Sequence, residues 1–152
     1  MSKNKLTFFT PDLDNPIELP FITAGIKAGF PSGIKAGFPS PAADFDETKI
    51  SLDAVVVKNR ESTFYAKATG TSMIGAGIDD GDILVIDRSL EPQNNKVAVC
   101  FLDGEFTVKR IKVSKEEMLL MPENKSFEPI KITEENQLII WGIVTYVIKK
   151  VY

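Results

Sequence analysis

The chain has no histidine, one cysteine and one tryptophan among its 152 residues. Without histidine, no Ser-His or Cys-His catalytic pair can be built. With Cys100 alone there is no intrachain disulfide and no ordinary structural zinc site. Neither metal nor cofactor is expected. Scarce cysteine suits a reducing compartment. No run of 18 apolar residues occurs, and the first residues, MSKNKLTFFTPDLDNP, lack the apolar core of a signal peptide. The expectation is a cytoplasmic protein with no membrane contact. The net charge of -3 supplies no broad basic field, so direct sequence-specific DNA binding is not expected.

What is present divides unevenly. Six of the nine prolines (Pro11, Pro16, Pro20, Pro31, Pro39 and Pro41) fall in the first 45 residues, together with Gly25, Gly29, Gly33 and Gly37. Proline removes backbone donors and glycine costs chain entropy, so this stretch reads as an extended arm. It holds a tandem repeat: GIKAGFPS runs from Gly25 to Ser32 and again from Gly33 to Ser40. Two copies are too few for a solenoid, and a duplication within a linker explains them.

From Ile50 the pattern becomes globular. Ser51 is placed to cap a short helix with Leu52, Val55 and Val56 on one face. Short β-like runs follow over Thr63–Ala68, Ile83–Asp87, Val97–Leu102, Glu105–Val113, Met118–Met121 and Leu138–Val151. Asp80-Gly81 and Asp103-Gly104 mark tight turns between them. Many short strands at close spacing predict a mostly β, largely antiparallel, barrel-like domain.

One serine and one lysine carry the candidate chemistry. KATGTSMI, from Lys67 to Ile74, leaves a strand through Gly70 and sets Ser72 just past the turn. An exposed hydroxyl there has backbone N–H groups nearby that suit an oxyanion. A serine after glycine is also an ordinary turn former or helix cap. Serine needs a base, and without histidine lysine is the remaining option. In the strand Glu105–Val113, alternation puts Thr107, Lys109, Ile111 and Val113 on one face, and Phe106, Val108 and Arg110 on the other. Lys109 thus falls among apolar neighbours, where either a snorkelling lysine or a buried amine fits. At its ordinary pKa only about one lysine in 2,500 is neutral at pH 7. Desolvation lowering that pKa by roughly 3–5 units would give a usable base. Cys100, in an apolar strand, reads as core. Asp79, Asp80 and Asp82 flank Gly81 and read as a solvated turn, because their spacing is not that of a calcium loop.

Three segments in order carry a resemblance: AGFPSPAADF (36–45), GTSMIGAGIDDGDILVIDRS (70–89) and DGEFTVKRI (103–111). Together they resemble the self-cleaving serine–lysine peptidases of the LexA superfamily, in its UmuD-type branch. The resemblance implies a LexA/signal-peptidase-type β domain behind an N-terminal arm. It implies Ser72 as nucleophile, Lys109 as base 37 residues later, and an oxyanion hole from the N–H groups of Ser72 and Thr71. It implies a scissile bond at Ala36-Gly37, dividing an arm (1–36) from a peptidase domain (37–152). It further implies a homodimer, stimulation by RecA filaments on single-stranded DNA, and a UmuC-type translesion polymerase as partner in the SOS response to DNA damage.

The repeat supplies a second candidate bond, Ala28-Gly29. Gly37 and Gly29 lie 35 and 43 residues before Ser72, a difference worth only about 0.2 kcal/mol of loop-closure entropy. Only the second copy continues into Pro41-Ala-Ala-Asp-Phe45 as the family pattern does, which favours Ala36-Gly37. A LexA-type repressor would need a DNA-binding domain where 36 Pro- and Gly-rich residues stand. A signal peptidase would need a membrane anchor. A non-catalytic module that regulates a polymerase by binding is the alternative of a different class.

Overall fold

The computed structural model describes residues 6–20 and 49–152. The chain forms two units, one of residues 1–11 with 56–152 and one of residues 12–55. In the second unit, β2 (Glu18–Pro20) pairs antiparallel with β3 (Lys49–Ser51). The short helix α1 (Leu52–Val56) follows β3. Only its Val56 is buried; Leu52 and Val55 are exposed, so the expected apolar face is not covered.

The first unit is one eight-stranded antiparallel sheet. Its strands are β1 (Thr7–Phe9), β4 (Thr63–Lys67), β5 (Ile83–Asp87), β6 (Val97–Leu102), β7 (Glu105–Val113), β8 (Met118–Met121), β9 (Ile130–Lys131) and β10 (Leu138–Ile148). They lie in the order β1-β4-β5-β10-β6-β7-β8-β9. The mostly β prediction holds. The strand expected to reach Val151 ends at Ile148. Among the described residues β1 and β9 are the sheet's two ends and do not pair, so hydrogen bonding does not close a barrel.

Apolar residues on alternate faces explain the architecture. On β6, Val99 joins a cluster with Ala66, Leu84, Ile86 and Val108, while Ala98 and Cys100 join another with Ile111, Leu120 and Ile143. Strands covered on both faces read as continuous apolar runs. β10, the last strand, lies between β5 and β6 and shifts register against each. Its Gly142 is sterically required, because a Cβ there would stand 2.6 Å from Ile86 Cγ2. β6 and β7 are joined by Asp103 and Gly104, both at positive φ (48° and 86°), which is the backbone a two-residue hairpin needs.

Candidate active site

β4 ends at Lys67, and the chain turns through Gly70 at φ 97°. The acidic turn after it fastens this exit. Gly70 N–H donates to Asp80 Oδ1 at 2.8 Å, Ala68 N–H to the Asp82 carbonyl at 2.8 Å, and Gly81 N–H to the Ala68 carbonyl at 2.7 Å. Asp82 is buried, accepts the Asp79 N–H at 2.8 Å and pairs with Lys149. The sequence suggested a solvated turn. Asp79 and Asp80 are exposed, in keeping with that reading, and Asp80 and the buried Asp82 in addition fasten the serine loop by accepting from backbone N–H groups and a lysine.

Ser72 follows the turn and is 2% exposed. A 3-10 turn, Ile74–Ala76, comes next and ends at Gly77 in the left-handed region (φ 78°). A segment after β8 straps the loop down. Glu123 N–H donates to the Ser72 carbonyl at 2.8 Å, Gly75 N–H to the Glu123 carbonyl at 2.7 Å, and Asn124 Nδ2 to the Thr71 carbonyl at 2.9 Å. The Glu123 carboxylate accepts Arg110 Nε at 2.5 Å. Arg110 is the neighbour of Lys109 on β7, so one residue joins the serine loop to the lysine strand.

Lys109 is 5% exposed. Its Nζ lies 3.1 Å from Ser72 Oγ, 2.8 Å from Thr107 Oγ1 and 3.2 Å from the Val108 carbonyl. All three partners are uncharged. Burial holds its pKa below the ordinary lysine value, with Cys100 opposing. A charged Lys109 spends three donors on these three acceptors. A neutral one keeps two for Thr107 and Val108 and turns its lone pair to the serine proton. Cys100, paired with Thr107 across β6 and β7, is a free buried thiol. Burial pushes it up to about 11, with Lys109 opposing.

The structure therefore brings Ser72 and Lys109 together, with Thr71 in the same loop. Ala36, Gly37, Ala28 and Gly29 lie outside the described residues. Thr107, Glu123, Asn124 and Gly75 were not singled out from the sequence. Thr107 was recoverable, since it shares the Lys109 face two residues away. The strap works mainly through backbone groups some 50 residues from Ser72 and leaves no side-chain pattern. Among the described residues no cluster of three metal-ligating side chains occurs, and no helix is long and apolar enough to cross a membrane.

Residues 29–145 match the family described as Peptidase S24-like. Protein ImpA of Salmonella typhimurium is 39% identical over 146 residues, spanning 92% of this chain and 90% of its own length. Protein MucA of Escherichia coli is 39% identical over 129 residues, spanning 84% and 82%. A LexA repressor of Alcanivorax borkumensis is 39% identical over 87 residues, 57% of this chain and 42% of its own.

Proposed function

This chain belongs to the Peptidase S24-like family, in the UmuD branch of the self-cleaving LexA superfamily, and we propose that it cuts its own Ala36-Gly37 bond with Ser72 and Lys109. The observation that carries this reading is the buried Lys109 Nζ at 3.1 Å from Ser72 Oγ. Neutral Lys109 takes the Ser72 proton as Oγ attacks the Ala36 carbonyl carbon. The N–H groups of Ser72 and Thr71 stabilise the oxyanion. The resulting ammonium protonates the Gly37 amine and the C–N bond breaks, freeing Gly37 as a new N-terminus and leaving residues 1–36 as an acyl group on Ser72 Oγ. Water, activated by the neutralised lysine, then hydrolyses the acyl-serine. Thr107 and Val108 hold the amine in place through both steps.

Because the substrate is tethered, its positioning controls the rate. A RecA filament on single-stranded DNA acts as activator by raising the population of chains whose cleavage segment is docked. The processed chain, as a homodimer in the cytoplasm, serves a UmuC-type translesion polymerase in the SOS response. Incubation of the purified chain with RecA, nucleotide and single-stranded DNA tests this reading. Faster shortening than in the chain alone supports it. Shortening that RecA does not accelerate refutes the activator. A chain that stays intact both here and at alkaline pH favours the non-catalytic module.

A further inference from the structure

The recess beside Ser72 is narrow. Leu6 forms one of its walls together with Ala68, Gly70, Met73, Ile78 and Val108, and about 10 Å³ of free volume remains. That is no more than the least room one water needs. Beyond Leu6 the chain continues as β1 along the edge of β4, with Thr7 opposite Lys67, Phe8 opposite Ala66 and Phe9 opposite Tyr65. Faces alternate along this segment. Leu6 and Phe8 pack against the first core cluster, while Phe9 is half exposed. The Phe8 ring centroid lies 4.7 Å from that of Trp141 and 4.9 Å from that of Phe106. β4 runs directly into the Ser72 loop, so an antiparallel strand on its edge brings the residue preceding its first pair up to the nucleophile.

We infer that the edge of β4 and this recess form a strand-accepting peptide site that Leu6–Phe9 occupies in the intact chain, in competition with the segment to be cut. Its ligand class is an extended peptide with a branched aliphatic residue two positions before an aromatic one. The inference rests on the reading of Ser72 as nucleophile. One strand edge offers one row of N–H and C=O groups, so two segments cannot pair with it at once. Residues 6–9 precede Ala36-Gly37, so the proposed cut also severs the occupant. With the tether gone its effective concentration falls, and the site opens to a strand of the same pattern from another chain.

The test uses the full chain, a Leu6→Ala variant and a Leu6→Ala/Phe8→Ala variant, each confirmed as folded by its circular-dichroism melt. A fluorophosphonate probe reports access to Ser72, and the emission of Trp141, the single tryptophan, reports strand docking. Labelling is expected to rise at least about tenfold in the variants, in line with the burial of one leucine side chain. A peptide spanning Leu6 to Pro11, added in trans, is expected to reverse the gain and shift Trp141 emission in the double variant. Unchanged labelling in folded variants overturns the inference, as does a gain that the peptide neither reverses nor accompanies with a Trp141 shift. If Ser72→Ala is labelled as fast as the wild type but the peptide still moves Trp141, the peptide site stands and the nucleophile reading falls.

Discussion

The Glu123 carbonyl accepts the N–H of Gly75 at 2.7 Å, and a Cβ on residue 75 would lie 2.6 Å from that same oxygen. Glycine is required here for closeness, since this is not a positive-φ position. Gly75→Ala should push the strap off the serine loop at a cost of about 1–3 kcal/mol in stability. Because Glu123 also holds the Ser72 carbonyl, self-cleavage should fall by more than that loss of folded protein explains. Urea unfolding beside a cleavage time course checks both effects, and a stable variant that cuts at the wild-type rate would remove the strap from the account.

Thr107 holds the lysine rather than reacting. Thr107→Val removes the oxygen 2.8 Å from Lys109 Nζ and leaves a buried donor unpaired. A loss of about 1–3 kcal/mol in positioning corresponds to roughly a tenfold to hundredfold slower cut. Thr107→Ser keeps the hydroxyl and should recover most of the rate. Equal rates in the valine and serine variants, read from intact mass over time, would contradict this role.

The cut should accelerate with pH. Burial lowers the Lys109 pKa, so the neutral amine becomes abundant below the ordinary 10.5. The rate should climb about tenfold per pH unit while lysine is mostly charged, then level off before 10.5. A flat profile, or one still climbing past 10.5, would exclude Lys109 as the base.

The same burial appears in stability. Lys109 loses its proton at lower pH in the folded chain than in the unfolded one, so between those two values the unfolded state binds more protons and stability rises with pH. Cys100 acts in the opposite sense. Its folded value of about 11 against 9.0 makes stability fall as pH rises through that interval. Lys109→Met removes the penalty of burying a charge. It should be more stable than the wild type at about pH 7, with the difference shrinking as pH rises. Parallel urea-stability curves all the way up to pH 10.5 would show that Lys109 is not held in a desolvated site.

Most strand positions were legible because strands buried on both faces are continuous apolar runs cut off by turns. Ile83–Asp87, Val97–Leu102, Glu105–Val113 and Met118–Met121 fall where those runs begin and end. The pairing of Ser72 with Lys109 was accessible through the absence of histidine together with the family motifs. The place of β10 between β5 and β6 was not, since no local pattern records strand order. Nor was β1, whose three residues sit in a proline-rich stretch and form a strand only because the β4 edge receives them. The acidic turn is exposed at Asp79 and Asp80 as expected, but the partners of Asp80 and Asp82, Gly70 and Lys149, were not legible because they meet only through the fold.

The central claim is that Ser72, deprotonated by Lys109, breaks the Ala36-Gly37 bond. Mass analysis of the purified wild type, Ser72→Ala and Lys109→Ala chains after alkaline incubation tests it most directly. The account predicts a fragment beginning at Gly37 from the wild type and intact chains from both folded variants. The same fragment from either variant, or a wild-type fragment beginning elsewhere, would contradict it.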